Sequence, residues 1–220
     1  MRREVLTIAG PSGQLEARLE FPEVEENPRV FGVACHPHSL KGGAMDNKVT
    51  HTLARAMVEC GAPAFRFNFR GVGASAGVFD HGRGEADDLA AVVEEGRRRF
   101  PGAALWLGGF SFGAFVALRG AQRLGPVKLM AVAPPVVGYE LGEVTSPDCD
   151  WMLAQGDADD VVPPEAVLAW AAEQPRKPRL HVLAGAGHFF HGKLHELKPL
   201  VIAFLQEGTG KGLSGFHGDS

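Results

Sequence analysis

Two stretches of this 220-residue chain set a serine between glycines: Gly109-Phe110-Ser111-Phe112-Gly113 and Gly73-Ala74-Ser75-Ala76-Gly77. A serine hydroxyl becomes a useful nucleophile only when a neighbouring imidazole takes its proton. That imidazole in turn needs a carboxylate behind it to fix its tautomer and steady the imidazolium. The pattern carries this meaning only where a buried strand turns sharply into a helix, because the turn lifts the hydroxyl above a sheet while small neighbours let strand and helix pack closely. Ser111 has that setting: the apolar run 104–107 enters Gly108-Gly109, and residues 114–118 leave with helical character. Ser75 is followed by Val78-Phe79-Asp80-His81-Gly82-Arg83-Gly84, a loop composition, and reads as a turn residue.

In the strand-turn-helix arrangement the order along the chain is nucleophile, acid, base, so partners are sought after Ser111. His181 falls within a strand, His195 on the last helix and His217 in the tail. His188 occupies a Gly185-Ala186-Gly187-His188 loop directly after a strand, from which it can reach a nucleophile; His191, three residues on, is its competitor. His188, His191 and His195 lack a cysteine or paired carboxylate at ligand spacing, so no metal is expected. The acid falls in Gln155-Gly156-Asp157-Ala158-Asp159-Asp160-Val161-Val162-Pro163, another loop after a strand. Asp157, Asp159 and Asp160 compete there, and the bland role for the others is solvation or capping of the helix near Pro164.

The elements that position these loops follow from periodicity. Alternating segments at 5–9 and 14–21, parted by Gly-Pro-Ser-Gly, read as a hairpin of half-exposed strands. Strands are then expected at 29–35, 63–69, 103–108, 127–133, 150–154 and 179–183. Helices are expected at 47–59, 85–98, 112–124, 164–173 and 193–205. Strand and helix alternate, so the fold class is α/β: a mostly parallel sheet of about eight strands, helices on both faces and an antiparallel N-terminal hairpin. Ligands of such sheets bind beyond the carboxyl ends of the strands. The connection 134–148 has no long amphipathic run, so no helical lid is expected and the site should be open.

The bulk numbers agree with one core. With 45% hydrophobic and 22% charged residues, residues 1–207 are expected to form one domain, followed by a Gly-rich mobile tail at 208–220. A net charge of −4 with scattered Lys and Arg argues against nucleic acid and anionic membranes as partners. The N-terminal apolar stretch ends at Gly10-Pro11, too short for a signal peptide or a membrane span, and three unpatterned cysteines fit reduced thiols. Cytoplasm is the expected location.

Taken together, these residues resemble the α/β-hydrolase superfamily, and more narrowly its short, lidless bacterial members. The resemblance covers residues 30–205. It rests on His36-Pro37-His38 with Gly42-Gly43, Asn47-Lys48, the run Arg66-Phe67-Asn68-Phe69-Arg70-Gly71-Val72-Gly73, the Ser111 segment, the loop 157–163 and Gly187-His188-Phe189-Phe190. It implies Asp159 as the acid, the fourth residue of the family's G-x-x-D-x-x-V-P pattern, leaving Asp157 and Asp160 as flanking carboxylates. It also implies an oxyanion hole from the backbone N–H of Phe112 and a second N–H between His38 and Leu40. The family's frequent His-Pro-His-Pro reads His-Pro-His-Ser here, which matters little to a loop that contributes backbone. Asn68-Phe69-Arg70-Gly71 is expected to support its loop. The expected activity is a serine hydrolase of small esters or thioesters, acting through an acyl-enzyme on Ser111 with His188 as base and no cofactor. Phe110, Phe112, Phe189 and Phe190 suit a short apolar acyl group, with core packing as their bland role. The rival readings are acyl transfer to an acceptor other than water and a non-catalytic binding protein on the same fold. A homodimer that completes an open pocket is compatible with the sequence.

Overall fold

A computed structural model describes residues 2–24, 27–138, 144 and 146–207. The expected tail at 208–220, with His217, lies outside the described residues. The chain begins with β1 (Arg3–Gly10) and β2 (Gly13–Glu20), paired antiparallel across Pro11-Ser12. Leu15, Ala17 and Leu19 of β2 are buried while Gln14, Glu16 and Arg18 between them are more exposed, as a sheet with one covered face requires.

The chain then alternates: β3 (Val30–Cys35), α1 (Lys48–Glu59), β4 (Ala64–Phe67), α2 (Arg83–Arg99), β5 (Ala104–Phe110), α3 (Phe112–Leu124) and β6 (Lys128–Val132). It continues with β7 (Asp150–Gly156), α4 (Pro164–Glu173), β8 (Arg179–Leu183) and α5 (Leu194–Gln206). Among the described residues the sheet has eight strands in the order β1-β2-β4-β3-β5-β6-β7-β8. β2 meets β4 antiparallel, and every pair from β4 to β8 is parallel.

Parallel strands buried on both faces send alternate residues into two cores. Phe31, Val33, Leu105 and Leu107 pack with Leu89 and Val92 of α2 and Val116 of α3. Ala34, Trp106 and Phe110 pack on the other side with Leu53 and Met57 of α1 and Val201 and Phe204 of α5. β5 therefore lies in the middle of the molecule, covered on both faces, and its carboxyl end carries Ser111.

Several boundaries differ from those read in the sequence, each for a local reason. β4 ends at Phe67 rather than at residue 69, because the Phe69 N–H turns to the ring Nε2 of His36, 3.0 Å away. α2 begins at Arg83, two residues before the expected start. Glu85 is the third residue of this helix, and its carboxylate reaches back to accept the N–H of Gly82 at 2.7 Å and of Asp80 at 2.8 Å. Gly82 sits at φ +92°, where a Cβ would come within 2.4 Å of Phe115, so only glycine fits. β5 and β7 each run two residues further than expected, carrying their carboxyl ends up to the candidate site.

Candidate active site

Ser111 occupies the N-cap position of α3 with φ 53° and ψ −122°, a conformation costly for any residue with a Cβ. The flanking glycines make that turn feasible. A Cβ on Gly109 would lie 2.2 Å from the carbonyl oxygen of Gly113, and one on Gly113 would lie 2.4 Å from that of Cys35. Both obstacles are backbone, so neither position can move aside for a side chain. The Ser111 N–H donates to Val132 O at 2.8 Å, and its carbonyl accepts the N–H of Ala114 at 2.8 Å. With its backbone committed on both sides, the residue holds its hydroxyl in one direction.

In that direction stands His188. Ser111 Oγ lies 3.0 Å from His188 Nε2, and His188 Nδ1 lies 2.8 Å from Asp159 Oδ2. Asp159 also accepts at Oδ1 from the N–H groups of Val161 at 2.9 Å and Val162 at 2.8 Å, and at Oδ2 from Gln155 Nε2 at 2.9 Å. Burial pushes the Asp159 carboxyl up, but the bonds from His188 and from the Val162 and Val161 amides outweigh it and hold the group below its ordinary value. An ionised carboxylate can only accept, so the imidazole proton sits on Nδ1 and bare Nε2 faces the serine hydroxyl. The ring is fixed sideways by Phe110 and Phe189, whose centroids each lie 5.1 Å from its own.

The loops that carry Asp159 and His188 are joined to one another. Asp157 Oδ1 accepts the N–H of Gly185 at 2.6 Å, and Ala158 N–H donates to Ala186 O at 3.1 Å. A Cβ on Gly156 would lie 2.1 Å from Ala186 O, so this close approach requires glycine. Asp157 thus joins the loops, while Asp160 is exposed. His191 and His195 are exposed and His181 lies within β8. Among the described residues no group of three or more His, Cys, Asp or Glu could hold a metal.

The loop after β3 brings His38 beside Phe112, ring centroids 5.2 Å apart, and stacks His38 on Phe79 at 4.7 Å. The expectation for Leu40 needs correction. Its N–H donates to His38 Nδ1 at 3.2 Å and its side chain is exposed, so this amide is already engaged within its own loop. The same loop is pinned from below by His36, which sequence reading noticed without assigning a task. Its Nε2 accepts the Phe69 N–H, so Nδ1 carries the proton and donates to Pro37 O at 2.6 Å. Burial pushes His36 down to about 4, against an opposing pull from the Pro37 carbonyl.

The loop after β4 is tied as its sequence implied. Arg70 donates from N and Nε to Asp88 Oδ2, both at 3.0 Å, and from Nη2 to Oδ1 at 2.8 Å. A Cβ on Gly84 would fall on this guanidinium. Ser75 is consumed in the same structure: its Oγ donates to Asn68 O at 2.7 Å and accepts from Glu16 N–H at 2.9 Å.

Ser111 and His188 open into a cleft of about 330 Å³. Pro135, Val137, Val161, Val162, Pro163 and Phe189 form an apolar wall, while His38, Lys41 and Asn47 supply polar groups. Of the four phenylalanines near the site in sequence Phe189 lines the cleft, while Phe110, Phe112 and Phe190 take the core-packing role that was the alternative for each. Pro135 and Val137 come from the connection 134–148, whose described residues contain no helix. Gln155 and the lining residues of that connection carried no sequence signal beyond lying next to loops already of interest.

An eight-stranded, mostly parallel sheet with a serine at the tight turn between its central strand and the next helix defines the α/β-hydrolase class. Residues 38–148 match the family described as serine aminopeptidase, S33, and the chain belongs to that family of α/β hydrolases. It is similar to an α/β serine hydrolase without a lid from Xanthomonas campestris, 43% identical with a TM-score of 0.88, over 93% of this chain and 94% of that one. A serine hydrolase homologue from Coxiella burnetii is also 43% identical with a TM-score of 0.88, over 93% and 98% of the two chains. An uncharacterized protein of Rickettsia prowazekii is 31% identical over 206 residues, 89% of this chain and 86% of its own. Among the described residues no helix is long and apolar enough to cross a membrane.

Proposed function

We propose that this hydrolase cleaves small carboxylic esters or thioesters through an acyl-enzyme on Ser111. The observation that carries the reading is the continuous chain Asp159–His188–Ser111, with links of 2.8 and 3.0 Å. In the first half-reaction Ser111 Oγ attacks the carbonyl carbon as His188 Nε2 takes the hydroxyl proton. Asp159 holds Nδ1–H and stabilises the imidazolium. The negative charge on the carbonyl oxygen is met by the backbone N–H of Phe112, with His38 as the second donor. His188 returns the proton to the leaving alcohol or thiol as the carbonyl re-forms. In the second half-reaction His188 takes a proton from water, hydroxide equivalent adds to the acyl carbon, and Ser111 leaves with the proton restored.

Esters are favoured over peptides with a free amino terminus. Such a terminus is a cation, and the described cleft lining contains Lys41 and no carboxylate to receive it.

The test is labelling of the purified protein with a fluorophosphonate, followed by peptide mapping, with Ser111→Ala and Ser75→Ala in parallel. Labelling at Ser111 that disappears only in Ser111→Ala is the expected result. A folded protein that takes up no label would overturn the mechanism in favour of a binding protein on a hydrolase fold.

A further inference from the structure

The cleft lining combines two unlike kinds of group: the apolar side chains of Val137, Val161, Val162 and Phe189, and Lys41, at the end of the short turn Ser39–Lys41 that follows His38. We propose that Lys41 determines specificity, selecting esters that carry an anionic group on the arm facing it and an apolar group on the other. This rests on the hydrolase reading of the same cleft.

Three observations support it. First, the Lys41 backbone is fixed: its N–H donates to His38 O at 3.0 Å, Gly43 N–H donates to the same oxygen at 3.0 Å, and Gly42 between them turns at φ +77°. The ammonium therefore works from a fixed base while its stem stays free. Second, no carboxylate is present among the described lining residues, and none of the described residues forms an ion pair with Lys41. A cation at a largely apolar cleft whose described lining holds no carboxylate favours an anion brought by the ligand. Third, the charge is felt at the site: burial lowers the His38 pKa, and Lys41 lowers it further.

The anion is a carboxylate or a phosphate, on the acyl side or on the leaving-group side of the scissile bond. Two substrate pairs separate these sources. One is a monoethyl ester of a short dicarboxylic acid against its neutral diethyl ester. The other is an acetate ester of a phosphorylated alcohol against its unphosphorylated form. For each pair the ratio of kcat/KM, charged over neutral, is measured for the wild type, Lys41→Ala and Lys41→Glu.

A partly exposed ion pair supplies a preference of about three- to fivefold, so the wild-type ratio should exceed unity by that much in one pair. It should fall to near one in Lys41→Ala, drop below one in Lys41→Glu, and shrink with added salt. Equal ratios in all three proteins would overturn the assignment. Calorimetric binding of the same esters to Ser111→Ala and to the Ser111→Ala, Lys41→Ala double variant keeps the two readings apart. A charge preference there that requires Lys41 upholds the specificity role even if no ester is turned over. Equal binding of charged and neutral esters to both variants removes it.

Discussion

The same five-residue pattern occurs at Ser111 and at Ser75, and the two serines have opposite surroundings. Both are nearly buried, at 9% and 7% exposure, so burial does not distinguish them. What differs is the partner. The Ser75 hydroxyl is taken up by two main-chain groups, giving its proton to Asn68 O and accepting from Glu16 N–H. At Ser111 the strained backbone leaves the hydroxyl to an imidazole whose other nitrogen is held by a carboxylate. A serine used to close a loop has no proton to give to a base. The Ser111 hydroxyl instead faces an imidazole nitrogen, on a backbone held at a conformational cost.

Changes to the reactive set should have the largest effect. Ser111→Ala should lower kcat for any ester substrate by about 10⁴-fold or more while leaving the urea midpoint close to wild type. Asp159→Asn should come close behind, at roughly 10³- to 10⁴-fold, because an amide can donate to Nδ1 and so favour the wrong tautomer of His188. A turnover assay with both variants sharpens the contrast; retained activity in Ser111→Ala would break it.

The glycines extend the comparison to stability. In Gly113→Ala the new methyl would meet the main-chain oxygens of Cys35 and His36 at 2.4 and 2.5 Å. In Gly73→Ala it would meet the side-chain ends of Glu16 and Asn68 at 2.4 and 2.5 Å, with φ +57°. Backbone cannot yield as side-chain tips can. Gly113→Ala should therefore cost about 4 kcal/mol or fail to fold, and Gly73→Ala about 1–2 kcal/mol. Equal losses in denaturant titrations would show that strain at the reactive turn is not special.

His36 sits beneath the site and gives a pH signature. Its folded pKa is depressed to about 4, below the roughly 6.5 of an unfolded chain. The unfolded state then binds more protons between these values, so stability is complete above pH ~6.5, falls as pH drops, and levels off below pH ~4 with about 3 kcal/mol lost. His36→Gln, which can still accept the Phe69 N–H, should flatten that segment of the stability profile. An unchanged slope would mean that other groups carry the acid sensitivity. The smallest effect is expected at the second serine. Ser75→Ala should leave kcat within about twofold and cost ~1–2 kcal/mol from two lost hydrogen bonds.

Much of this was legible in the sequence, because the features involved are local or periodic. The bounds of α3, α4 and β8 match those read from apolar spacing and helix-start residues. The choice of Ser111 over Ser75 needed only the strand before it and the helix after it. Distant partners were not legible. Nothing near Glu85 announces that it caps its helix from the third position. Spacing cannot separate Asp157, Asp159 and Asp160; the family pattern pointed to Asp159, and it is this carboxylate that lies against His188. Leu40 was included because loop position is visible while amide direction is not. For the four phenylalanines near the nucleophile the sequence left both cleft lining and core packing open, since proximity along the chain does not reveal which face of the strand a ring occupies.

The sheet order has a consequence for heat. The serine follows β5, paired on both sides, whereas the histidine follows β8, which among the described residues is the outermost strand and pairs with β7 alone. Strand rims open to solvent more often than sheet centres. Amides of Leu180 and Val182 should therefore exchange with deuterium sooner than those of Leu105 and Leu107. On warming, catalysis should then cease through fraying at the rim while the centre of the protein is still folded, and should return on cooling.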